Sequence, residues 1–87
     1  MIKRIEKIYS DIESVRGSSD RVTNGLKYNY YSYLNIVDIK KLQLEKELDE
    51  LKRSRASSYD EVIKGIEFKL QELKILLLKI NRLFRQA

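Results

Sequence analysis

Three features of the sequence predict an all-α protein: a short N-terminal helix packed on a long antiparallel helical hairpin, in the manner of a three-helix bundle or coiled coil. There is no proline in the 87 residues and there are only three glycines, so long helices meet no obligatory break. Apolar residues recur at alternating steps of four and three in three separate stretches, the spacing of one helical face. The two longer stretches match each other when the chain is folded back about residues 54–58.

The first helix is expected over residues 1–16, where Met1, Ile5, Ile8, Ile12 and Val15 form the stripe and Ile2 and Tyr9 flank it. Residues 17–25, GSSDRVTNG, read as a loop because glycine, serine and asparagine punctuate them. Asn24-Gly25 is a β-hairpin dipeptide. Only Arg21, Val22 and Thr23 precede it before further turn residues, too few for a strand. The second helix is expected over 26–53, with Tyr30, Leu34, Val37, Lys41, Leu44, Leu48 and Leu51 on its seam. SRASS at 54–58 reads as the turn, and Ser58 with Glu61 three residues on forms a capping box for the third helix, 59–86. There the seam is Val62, Ile66, Lys69, Leu73, Leu76, Ile80 and Leu83, widened by Ile63, Leu70, Leu77 and Phe84.

One antiparallel register satisfies nearly every apolar position. It sets Leu51 on Val62, Leu48 on Ile66, Leu44 beside Lys69 and Leu70, Lys41 on Leu73, Val37 on Leu76, Leu34 on Ile80 and Tyr30 on Leu83. The two seam lysines, Lys41 and Lys69, bury their stems and carry their charges outwards. The first helix, roughly 22 Å long by its residue count, is expected to cover the half of the hairpin opposite the turn. Off-seam apolar residues crowd 28–44, whereas EKELDELKRS at 45–54 carries only Leu48 and Leu51. The expectation is a three-helix base with a two-helix, charged tip.

KYNYYSYLN at 27–35 places four tyrosines in six positions. At about 100° per residue, Tyr28, Tyr30, Tyr31 and Tyr33 point four ways around a helix, so they form no single stacking platform for bases. They are expected instead to pack a helix end buried from several sides, with hydroxyls at its rim.

Composition narrows the chemistry. With no cysteine and no histidine, disulfides, thiolate or imidazole metal sites and the usual nucleophile–base pairs are all excluded. The three glycines are isolated, so no phosphate-cradling loop is present. The densest acidic run, EKELDE at 45–50, has no histidine to complete a carboxylate metal site and reads as a solvated helix face. No catalytic, cofactor or metal residue is assigned, and no enzyme activity or small-molecule substrate is expected. The longest apolar run, ILLL at 75–78, stops at Lys79, so no membrane span is expected, and the N-terminus has no signal-peptide pattern. The expected location is the cytoplasm. The bias toward Ile, Lys, Asn and Tyr, with two alanines, suits an AT-rich genome such as a low-GC bacterium or its phage, in which case the location is the host cytoplasm.

A chain this small buries only about 60–65% of its unfolded surface, and without disulfide or metal the remaining staple is oligomerisation. Ile36 and Ile39 on the second helix, with Phe68, Ile75 and Leu78 on the third, face away from the hairpin seam. One short helix cannot cover both backs, so these residues, with Tyr31 and Tyr33, are the candidate interface for a partner protein or a second copy, a dimer being favoured. The net charge of +5 leaves a second reading open, a basic bundle binding DNA or RNA through Lys3, Arg4, Lys7, Lys52, Arg53, Arg55, Arg82 and Arg85. The third reading is a structural assembly subunit. The first is a non-enzymatic helical interaction module, of the adaptor, chaperone-like or phage-regulator kind. In this register Lys3 and Arg4 are expected mid-body, and the positive charge forms no continuous stripe.

Overall fold

The computed structural model describes residues 2–53 and 59–85. Three helices form: α1 (Ile2–Arg16), α2 (Lys27–Arg53) and α3 (Tyr59–Arg85). Between α1 and α2 lie two single 3₁₀ turns, Ser19–Arg21 and Asn24–Leu26. Among the described residues there is no strand, and the all-α reading of the sequence holds. The proposed turn at 54–58 and the capping box from Ser58 lie outside the described residues. The molecule is elongated, with principal extents of 49 × 21 × 16 Å.

The α2–α3 pairing sets the frame. Tyr30, Val37 and Leu44 from α2 and Ile66, Leu70, Leu73 and Ile80 from α3 are almost completely buried, all of them residues of the expected seam or its widened stripe. The cross-helix contacts report the register. Lys40 Nζ meets Glu72 Oε2 at 2.8 Å, the Glu47 carboxylate lies over Gly65, and the Tyr30 and Phe84 rings are 6.2 Å apart between centroids. All agree, within side-chain reach, with the expected pairing of Leu51 on Val62 and Tyr30 on Leu83. The seam lysines find outlets. Lys41 Nζ lies 5.1 Å from the Tyr9 ring centroid, and Lys69 Nζ bonds Glu72 Oε1 at 3.5 Å. Such a stem-buried, charge-solvated placement is what keeps a lysine tolerable at a seam.

α1 does not sit where the sequence alone places it. It runs antiparallel to α2, with Arg16 paired to Asp38, Tyr9 beside Lys41, and Ile2 and Ile5 sharing a groove with Leu48, Leu51 and Lys52. The first residues of α1 therefore lie beside the C-terminal end of α2, and that end of the α2–α3 pair is its three-helix half. The expected two-helix charged tip is overturned. The cause is the linker. Instead of turning tightly, residues 17–26 travel along the hairpin and do the covering at the opposite end themselves. Val22, 3% exposed, plugs the core there, Leu26 packs against the same cluster, and the Arg21 guanidinium lies 4.7 Å over the Phe84 ring. The two 3₁₀ turns satisfy this stretch locally, with Arg21 N–H donating to Ser18 O at 3.0 Å and Leu26 N–H to Thr23 O at 2.9 Å.

Candidate functional site

The tyrosine cluster resolves into distinct roles. Tyr30 is fully buried, and its hydroxyl donates to the carbonyl oxygens of Val15 and of Arg16, the latter at 3.2 Å. These are last-turn carbonyls of α1, which have no partner within their own helix. Burial of the phenol raises its pKa, and Tyr31 adds to the effect. Tyr31 stacks edge-on against Tyr30 at 5.1 Å yet stays exposed. Tyr33 is half-buried against the core, and Tyr28 is 82% exposed. The expectation of a helix end buried from several sides is thus corrected. A linker, thinner than a helix, covers that end, so only one of the four rings is enclosed.

The flanks of the hairpin differ. α1 occupies the flank defined by Asp38 and Lys41 on α2 and by Leu70 and Lys74 on α3, where Arg4, Lys7, Ile8 and Asp11 line a shallow groove with the α3 residues. The opposite flank is crossed by polar contacts. Lys40 and Lys69 converge on Glu72, each of the three about a quarter exposed or less. The hydrogen bond from Lys40 holds the Glu72 carboxyl below the usual glutamate value. Glu47 folds over Gly65, with one carboxylate oxygen buried and without a hydrogen-bond partner. Gly65 therefore makes room for a side chain of α2.

Two apolar ridges remain on the outer edges. Helical phase puts Ile39 about 200° from Val37 on α2, and Ile75 about 200° from Leu73 on α3. Val37 and Leu73 both face the seam, so these two isoleucines point away from each other on opposite edges of the hairpin. On α3 the ridge is Phe68 (63% exposed), Ile75 (44%) and Leu78 (52%). On α2 it is Ile36, Ile39 (54%) and Leu42 (60%). The candidate interface residues thus lie on two edges of the hairpin. Leu42 belongs with them and follows Ile39 by one helical step of three, a spacing the sequence offered. On α3, Gln71 at the intervening position and Arg82 one step beyond Leu78 are exposed on the same ridge.

The basic candidates also separate. Lys3, Arg4 and Lys7 are exposed on α1, and Lys7 pairs with Asp11 at 3.6 Å. Arg4 and Lys7 share a groove with Leu70, Gln71 and Lys74 in the middle of α3, while Ile2 and Ile5 on the same helix reach Leu48, Leu51 and Lys52. Arg55 lies outside the described residues. Arg82 and Arg85 are exposed at the other end, where Arg21 joins them around Leu78 and Phe84. The described basic candidates thus do not gather on one face, and other exposed lysines, among them Lys74 and Lys79, lie between them on α3. Among the described residues no helix is long and apolar enough to cross a membrane.

No protein-family model, no curated protein and no solved structure matches this chain.

Proposed function

We propose that the protein is a small non-enzymatic helical interaction module that associates through its exposed apolar ridges, first with itself. One observation carries the reading. Phe68, Ile75 and Leu78 leave a row of large apolar side chains in water along the outer edge of α3, although the same helix buries six residues on its inner face. Exposed apolar surface of this kind is costly in water and marks interfaces in soluble proteins. The basic candidates sit apart, Lys3, Arg4 and Lys7 on α1 and Arg82 and Arg85 at the end of α3, which favours this reading over a nucleic-acid track that needs a continuous run of positive charge.

Sedimentation over a range of concentrations is the test. Self-association that weakens in Ile75→Lys and Leu78→Lys, with helicity retained, is the expected result. A chain that stays monomeric throughout and is indifferent to both substitutions rejects the reading. Binding to DNA or RNA that falls steeply with salt would move the assignment to the nucleic-acid class.

A further inference from the structure

Resting on the reading just given, we infer that the occupant of the α3 ridge is the same ridge of a second copy, docked antiparallel about a two-fold axis, with Ile75 of each chain on Leu78 of the other.

The ridge has coiled-coil spacing. Phe68, Gln71, Ile75, Leu78 and Arg82 advance by three, four, three and four residues, and all are exposed. A two-helix seam requires that alternation. Flanking positions then decide direction. On the side toward α1 they are Glu67, Lys74 and Asn81; on the other side they are Glu72 and Lys79. In a parallel pair each side of one helix meets the opposite side of its partner, one heptad step along. That sets Glu67 against Glu72 and Lys74 against Lys79, like charge on like charge at every contact. In an antiparallel pair each side meets its own counterpart, so Glu72 and Lys79 face one another across the axis.

Register follows from the same charges. Placing Ile75 on Leu78 puts Glu72 beside Lys79 of the second copy twice, by symmetry, and Lys74 beside the neutral Asn81. It also puts Phe68 under the Arg85 guanidinium and Gln71 beside Arg82, so each exposed ring receives a cation. Sliding by one heptad step to set Phe68 on Leu78 places Glu72 on Glu72 and Lys74 on Lys74 across the axis. Glu72 already accepts from Lys40 and Lys69, so Lys79 of the second copy shares that carboxylate with two cations. The apolar pair supplies the affinity, and the charges choose direction and register. A self-complementary two-fold contact closes at two copies and does not propagate.

The absence of cysteine makes disulfide trapping clean. Ile75→Cys and Leu78→Cys chains, mixed and mildly oxidised, are expected to cross-link to each other in preference to themselves, whereas Phe68→Cys chains do not cross-link to themselves. Lys79→Glu, which touches no described contact within the chain, is expected to weaken association roughly tenfold by setting acid against Glu72 twice. Association that persists while Phe68→Cys self-cross-links, or while Lys79→Glu has no effect, overturns this geometry but leaves self-association standing. Absence of association at all concentrations overturns both.

Discussion

The hydroxyl of Tyr30, at the start of α2, donates to the main-chain oxygen of Val15, at the end of α1. Val15 O also accepts from the Ser18 N–H at 3.2 Å. One buried side chain thus closes the end of one helix and fixes where the next begins, and the intervening linker is held between them.

Removing that hydroxyl isolates its contribution. Tyr30→Phe keeps the ring but removes the donor to Arg16 O and leaves Val15 O with the Ser18 N–H alone, at a cost of about 1 kcal/mol. In a domain of this size the midpoint of thermal unfolding should fall by roughly 4–8 °C. Tyr30→Ala also opens a cavity and should cost about 3–5 kcal/mol. Urea titration followed by circular dichroism measures both, and a neutral Tyr30→Phe would show that the hydrogen bond is replaced by water.

The same burial predicts alkaline sensitivity. Tyr30, through burial and then Tyr31, and Tyr9, through burial and then Glu45, have pKa values raised above the ordinary 10.0. The folded state holds these protons more tightly than the unfolded chain does. Their contribution is therefore complete below pH 10 and is lost as pH rises through the higher folded-state values. Stability measured from neutrality into this range should decline, and Tyr30→Phe should decline less steeply than the parent. Equal slopes in parent and variant would assign the loss to other groups.

At the acid end the sign reverses. Glu72 is held below the ordinary glutamate value of 4.5, mainly by the hydrogen bond from Lys40. Its stabilising effect is present above 4.5 and disappears as pH falls through the lower folded-state value. Glu72→Gln should cost up to about 1 kcal/mol at neutral pH, within the range for partly screened pairs, and should flatten the acid limb of the stability curve. Lys40→Met tests the same contact from the other side. An acid limb unchanged in both variants would remove Glu72 from the account.

Gly65 offers a gain. Alanine is better than glycine inside a helix by up to ~1 kcal/mol. An added Cβ would lie 3.1–3.2 Å from the Glu47 carboxylate, and a shift of a few tenths of an ångström relieves the contact. The carboxylate is the free end of a flexible side chain and has an unpartnered oxygen to return to water. Gly65→Ala is therefore expected to stabilise the protein, read as a higher urea midpoint. A lower midpoint would mean that Glu47 cannot move.

By itself the sequence determined the hairpin: its helices, its seam and its register. Paired seam positions from Leu51–Val62 to Tyr30–Leu83 leave one alignment that buries nearly all of them, and a helical period records such a face directly. It also showed which side chains turn away from that seam, because phase along one helix needs no partner to be read. Only the tertiary structure decided where α1 lies and which tyrosine is enclosed. Both depend on the path of residues 17–26, which carry no repeating pattern and settle through isolated contacts, Val22 in the core and Arg21 on Phe84. Phase likewise set Ile36 and Ile39 on one back of the hairpin and Phe68, Ile75 and Leu78 on the other. Phase places each residue around its own helix axis, but only the packing of one helix on another decides which outward faces share an edge.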